Sequence, residues 1–298
     1  MKIGQIGNGG WGKLILRDLL ALGAEVHVAA TSQATCDRSI AAGATSACIG
    51  LDGLPEVDGY VVVTPITRHF EVIKALIPSG KPIFCEKPVT ADPAEMEVIL
   101  KQAGERVFSM DKWRYHPGIL KLAELARSGA LGEVVAVSTY RLGLAKTPPD
   151  TNVVWHLAPH DLSIALEILG DLPMLKSANG IRASRKMESL SAVLQTGGEG
   201  VQVTLDVSSA HPVVRRSVIV IGTTGTAGLA ASYDDHITVK RQGADAEKIP
   251  IGTEMPLLAE LRAFLSHLDG GPAPKSSARD AGLIVRRLSE IQSMAGFS

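Results

Sequence analysis

The chain has 298 residues, long enough for about two domains, with 45% hydrophobic and 20% charged residues. That composition buries an ordinary core without disulfides and excludes disorder as the dominant state. Thirty basic against 31 acidic residues give a formal charge of −1, which argues against a main partner with a phosphate backbone, so no nucleic-acid partner is expected. Cys36, Cys48 and Cys85 are too few and too far apart for a disulfide framework or a metal knuckle, and they fit a reducing compartment. No apolar run approaches a membrane span, and Met1-Lys2 leads directly into a short strand rather than a signal sequence. The expectation is a cytoplasmic protein with no membrane partner.

The first 110 residues or so alternate short apolar strands with helical patterns, the signature of a parallel sheet covered by helices. Lys2–Ile6 predicts the first strand, and Ile15, Leu19 and Leu22 set an amphipathic helix that Gly23 stops. Strands follow at about 26–30, 60–63 and 83–85. Helices are expected at about 69–77 and, opened by Asp92-Pro93, to about Lys101. The first domain is read as 1–115 and the second as 116–298. In the second, Val201, Val203, Leu205 and Val207 alternate with polar residues after a Gly197-Gly198-Glu199-Gly200 turn. Further strands are predicted at about 133–141, 190–195 and 216–221. The fold class expected is α/β: an N-terminal Rossmann, doubly wound parallel sheet, then a C-terminal α+β domain with an open, largely antiparallel sheet. Such a sheet, left uncovered on one face, suggests a homo-oligomer.

Between the first strand and helix, Gly7-Asn8-Gly9-Gly10-Trp11-Gly12 satisfies G-x-G-x-x-G in the strand–turn–helix context that gives the pattern meaning. Gly7 permits the tight turn, Gly9 the approach of a pyrophosphate and Gly12 the packing of helix on strand, while helix N-terminal amides face the phosphates. The second strand should end in an acidic residue if the ribose 2′-hydroxyl is to be bound. Thr31-Ser32-Gln33 stands there instead, with Arg38 beyond. No carboxylate repels a 2′-phosphate and two hydroxyls can donate to one, so NADP is favoured over NAD.

Four further segments, Thr64-Pro65-Ile66-Thr67-Arg68-His69, Gly80–Pro88 with its Glu86-Lys87-Pro88, Arg114-Tyr115-His116-Pro117 and Trp155–Asp161, make the chain resemble the Gfo/Idh/MocA oxidoreductases over essentially its whole length. The resemblance implies an NAD(P)-dependent dehydrogenase or reductase. Its hydride transfer would run between nicotinamide and a hydroxyl or keto carbon of a sugar, sugar nucleotide or cyclitol. It also implies oligomerisation, as a dimer or tetramer, through the C-terminal sheet.

The same resemblance makes Lys87 an active-site lysine, with a cis bond to Pro88. A cation there can stabilise developing alkoxide charge or donate a proton. Thr64, Pro65, His69 and Glu86 would line the cofactor side. Pro159 and Gly170 delimit a helix of about 159–169, with His160 in its first turn at the position of the family's catalytic histidine. The positive helix end keeps such an imidazole neutral and able to accept a proton. Asp161 reads as a first-turn acid. Trp113, Arg114, Trp155 and His156 are candidate substrate contacts, through stacking and guanidinium forks.

Two departures stand out: His156 and Ser163 occupy places where many members carry aspartate. A zinc pair from His156 and His160 is rejected, because Pro159 interrupts the helix and no glutamate follows His156. Two alternatives stay open: a catalytically silent dinucleotide-binding regulator, and a redox-neutral glycosidase on a tightly held NAD. Substrate choice is expected in loops such as 146–153.

Overall fold

The computed structural model describes all residues except 145–147, 149–150, 185–186, 199 and 298, so half of the loop 146–153 named as a specificity determinant lies outside the described residues. The chain divides into two compact units, Met1–Lys112 with Met255–Val285, and Trp113–Glu254 with Arg286–Ser298.

The first unit is a six-stranded parallel sheet of β1 (Lys2–Ile6), β2 (Glu25–Ala30), β3 (Ser46–Ile49), β4 (Gly59–Val62), β5 (Ile83–Glu86) and β6 (Val107–Met110), in the order β3-β2-β1-β4-β5-β6. The strand order reverses between β1 and β4, the place where doubly wound sheets bind ligands. Helices α1 (Gly12–Ala21), α2 (Gln33–Ala41), α3 (Ile66–Leu76) and α4 (Pro93–Ala103) connect the strands. α1 forms because Ile15, Leu16 and Leu19 make one buried stripe, and it gives way at Leu22 to Gly23, whose φ is +81°. At the start of α4 the Asp92 carboxylate accepts from the Ala94 amide at 2.7 Å, with Pro93 in the first turn. The core of the unit includes Ile3, Val26, Val28 and Phe84. It is completed by a helix from much later in the chain, Pro256–Leu268, whose Phe264 stacks on Phe84 with centroids 4.9 Å apart.

The second unit holds an eight-stranded sheet of β7 (Val134–Leu144), β8 (Met174–Ser184), β9 (Met187–Gln195), β10 (Gln202–Ser208), β11 (Ala210–Gly222), β12 (Gly225–Leu229), β13 (His236–Arg241) and β14 (Glu247–Pro250). The order is β14-β13-β12-β11-β7-β10-β9-β8, and every pair is antiparallel except β10 with β7. One face carries Val137, Val203, Leu205, Val207, Leu190 and Leu194, all buried. It is covered by α5 (Pro117–Arg127), α6 (Val153–His156) and α7 (Ala158–Leu169). Near the end of the chain the helix Ala278–Met294 carries Arg287. That side chain is buried, donates to the Pro173 carbonyl at 2.8 Å and forks onto Glu290. No helix among the described residues is long and apolar enough to cross a membrane.

Candidate cofactor and active site

The turn after β1 is held from beneath by a residue the sequence reading passed over. Gln5 is fully buried, and its amide donates to the carbonyls of Gly7 at 2.9 Å and Gly12 at 3.1 Å. Both ends of the glycine turn are thereby tied to β1. Gly7 has φ +94°, and a Cβ there would stand 2.7 Å from the Val63 carbonyl oxygen. At Gly12 a Cβ would lie 2.9 Å from the Gly7 carbonyl oxygen. Gly9 and Gly10 differ in kind: a Cβ at either meets no protein atom within 4 Å. Asn8 is buried, and its amide donates to Ser39 Oγ at 2.7 Å, so it braces the turn against α2. Trp11 precedes α1, with the Lys112 ammonium 4.3 Å from its ring centroid.

Around this turn lies a cleft of about 550 Å³, lined by Gly7, Asn8, Gly9, Thr31, Arg38, Thr64, Pro65 and Arg68 among others. Beyond β2, Ser32 Oγ and Thr35 Oγ1 are 3.1 Å apart, and the Arg38 guanidinium donates to Thr35 Oγ1 at 2.7 Å. A cluster of hydroxyls with one guanidinium thus stands where a carboxylate would select against a 2′-phosphate. Thr35 was not anticipated from the sequence, where no signal set it apart from other helix threonines.

A dinucleotide fits these residues on two grounds. Only glycine leaves the space above Gly9, and Thr64 Oγ1 is a buried hydroxyl in the lining with no hydrogen-bond partner among the described residues. His69 does not line the cleft. Its ring is buried, Nε2 lies 2.8 Å from the Thr64 carbonyl and Nδ1 lies 2.9 Å from the Pro88 carbonyl, so it staples the two segments together. Burial holds its pKa below the ordinary histidine value, against the two carbonyl contacts that favour the cation.

Lys87 follows β5, at the carboxyl end of the sheet, and the Lys87–Pro88 peptide is cis. Glu86 closes β5, and burial raises its pKa against the lowering influence of Lys87 and Lys112. Near it the Glu260 carboxyl is 1% exposed, and its pKa is raised well above the carboxylate range by burial, then by Glu86 and Asp111.

In the second unit, Asn152 Oδ1 accepts from the amides of Val154 and Trp155 at 3.0 and 3.3 Å and starts α6, which ends at His156. α7 begins at once, with Pro159 in its first turn and Gly170 after it at φ +80°. His160 is in that first turn and half-buried. Ser163 donates to the His160 carbonyl at 2.8 Å.

Trp113, Arg114 and Trp155, read as candidate substrate contacts, are engaged within the unit. Trp113 is buried, with His116 stacked on it at 5.0 Å and the Arg141 guanidinium 4.7 Å from its centroid. Arg114 donates to Glu167 at 3.1 Å, and Trp155 is buried with its indole N–H donating to Gln292. Asp161 does more than complement the helix dipole. It is 1% exposed and accepts from Arg141 Nε at 2.8 Å. Burial nonetheless raises its pKa.

Strand order, glycine turn and cleft together define the first unit as a Rossmann domain with a dinucleotide-sized cleft at its glycine turn. Residues 1–108 match the GFO_IDH_MocA model, described as "Oxidoreductase family, NAD-binding Rossmann fold". The chain is similar to inositol 2-dehydrogenase 2 of Saccharopolyspora erythraea, with 29% identity covering 62% of this chain and 58% of the relative. It is also similar to UDP-N-acetylglucosamine 3-dehydrogenase of Acidithiobacillus ferrooxidans, with 30% identity covering 52% of this chain and 50% of the relative. The matched segments thus span about half the length of these curated relatives. Among solved structures, an oxidoreductase from Agrobacterium radiobacter in complex with NAD+, L-tartaric acid and magnesium shares the fold, with TM-score 0.87, 18% identity and coverage of 100% of this chain and 96% of that one.

Proposed function

We propose that the chain is an NAD(P)-dependent oxidoreductase, preferring NADP, that acts on a hydroxyl or keto carbon of a sugar, sugar nucleotide or cyclitol. The observation that carries this reading is the glycine turn pinned by Gln5 at the reversal of strand order, in a domain that matches the GFO_IDH_MocA model. When bound, the nicotinamide supplies the hydride donor or acceptor. Gly7, Asn8, Gly9, Gly10, Trp11 and Gly12 would hold the pyrophosphate, with the N-terminal amides of α1 facing it. Thr31, Ser32, Thr35 and Arg38 would receive the 2′-phosphate. Thr64, Pro65 and Glu86 would flank the nicotinamide half, and His69 would fix the backbone around it.

Lys87 and His160 are the proton-handling groups of this reading. In oxidation the Lys87 ammonium stabilises negative charge growing on the substrate oxygen, and the His160 imidazole accepts the hydroxyl proton. In reduction the proton returns to that oxygen from a protonated side chain. His156, Trp113, Arg114 and Trp155 shape the substrate side, the last three by fixing the elements that carry it. The uncovered face of the second unit's sheet would pair copies of the chain, and the cytoplasm is the proposed compartment.

Steady-state turnover with a panel of sugars, inositols and sugar nucleotides tests the reading. Lys87→Ala should lower turnover about 10²–10⁴-fold, the range of a general acid or base, with NADPH affinity nearly intact. NADPH binding without turnover of any panel member would favour a regulator instead.

A further inference from the structure

Strands β7 and β11 place two arginines directly opposite each other, Arg141 and Arg216, on the face that α7 covers. Like charges in directly opposed positions repel, so such a pair needs a compensating anion. Asp161, the residue after His160, supplies one. Its carboxylate takes two bonds from Arg141, at 2.8 Å from Nε and 3.5 Å from Nη2, and it also acts on the charge of Arg216.

One carboxylate against two guanidinium groups leaves an excess of one positive charge. Only the Arg216 share of that charge faces water. Arg141 is 3% exposed, and its Nη1 is buried with no hydrogen-bond partner among the described residues. Arg216 reaches solvent, yet burial and the Arg141 charge hold its pKa below the usual arginine range. An unmatched guanidinium N–H in a partly dry setting, beside a second guanidinium open to solvent, is the arrangement that recognises an oxyanion.

We infer that Arg216, with Arg141 behind it, forms an oxyanion subsite on the sheet face packed by α7, the helix that carries His160, so that the substrate carries a carboxylate or phosphate group. The inference rests on the proposed oxidoreductase reading for the word substrate, and the subsite itself belongs wholly to the second unit. It narrows the substrate class from carbohydrate-like alcohols in general to acidic ones, with neutral inositols and hexoses disfavoured.

The test is direct calorimetric titration of the full-length protein with inorganic phosphate, D-glucuronate and D-glucose, on wild type, Arg216→Gln and Arg216→Lys. Expected is saturable binding of an anion by wild type, weakened at least tenfold in R216Q and largely kept in R216K, with D-glucose silent. Phosphate and carboxylate arms tell which oxyanion the geometry prefers. NADPH affinity, read by fluorescence on the same samples, reports whether each variant is folded. No anion binding by wild type, or equal binding by wild type and R216Q, overturns the subsite. Anion binding without turnover of any substrate would sink the oxidoreductase reading and leave the subsite standing. Turnover of neutral sugars without anion binding would do the reverse.

Discussion

His69 bonds through Nδ1 to the carbonyl of Pro88, 2.9 Å away and nineteen residues later in the chain. Its other nitrogen faces the Thr64 carbonyl at 2.8 Å, so one buried ring ties the loop after β4 to the residues just behind Lys87. Removing it should be felt at the lysine, though the ring itself neither lines the cleft nor reaches bulk solvent. His69→Ala is expected to lose about 1–3 kcal/mol of stability, the cost of leaving buried partners unsatisfied. Its turnover should fall with little change in NADPH affinity. Urea denaturation and steady-state rates on the same preparation check both halves.

The same ring makes stability pH-dependent. Its folded pKa lies below the ordinary histidine value, so the unfolded chain takes up a proton first as pH falls. Stability from this source is complete above the unfolded value and declines below it. His116, whose pKa burial also lowers, adds a component of the same sign. Urea midpoints for wild type and His69→Gln between pH 8 and pH 5.5 should show a shallower decline in the variant.

Glu260 gives the opposite slope. Buried beside Glu86 and Asp111 and near Lys112, its folded pKa stands well above the carboxylate range. As pH rises through that range the unfolded chain ionises and the folded one does not, so stability from this group drops toward alkaline pH. Glu260→Gln keeps the shape and removes the titration. The variant should be more stable than wild type at pH 8, with the gain vanishing near pH 4, as read from denaturant midpoints.

Two glycines of one turn should fail differently. Gly7→Ala requires a positive φ, which costs roughly 1–2 kcal/mol for a residue with a Cβ, and it collides with the Val63 carbonyl as well. It should lower the melting temperature. Gly9→Ala meets no protein atom within 4 Å and should melt like wild type, yet lose NADPH affinity by at least about tenfold, or 1.4 kcal/mol. Normal affinity in G9A would remove the pyrophosphate from this turn.

Cofactor choice is read at Arg38. Arg38→Ala should weaken NADPH binding about tenfold, equal to 1.4 kcal/mol, and leave NADH within about twofold. Competitive titration with both nucleotides measures the ratio.

What could be seen in the linear chain follows from the range of each signal. The glycine turn, the strand before it and the helix after it are local, and all three stand where the spacing put them. β1 matches residue for residue, and α7 begins one residue early, at Ala158. β3, β6, β8, β12, β13 and β14 were missed, because their pairing partners rather than their own periodicity define them. Gln5 was invisible because nothing in Ile-Gly-Gln-Ile says that an amide will face the turn beneath it. Trp113 and Trp155 were read as stacking platforms on composition alone, whereas their packing partners, Arg141 and Gln292, come from far along the chain. The pairing of Asp161 with Arg141 is of that long-range kind too.

The aromatic stack between Phe84 and Phe264 has an implication for how the molecule is made. A ribosome releasing the first 112 residues has delivered every strand of the parallel sheet, but not the helix that seals Phe84. Until residue 268 emerges, the nascent sheet offers bare apolar surface, so maturation of the nucleotide fold waits until all eight strands of the second unit have been made. Truncations that stop short of that point should aggregate rather than yield a smaller working module.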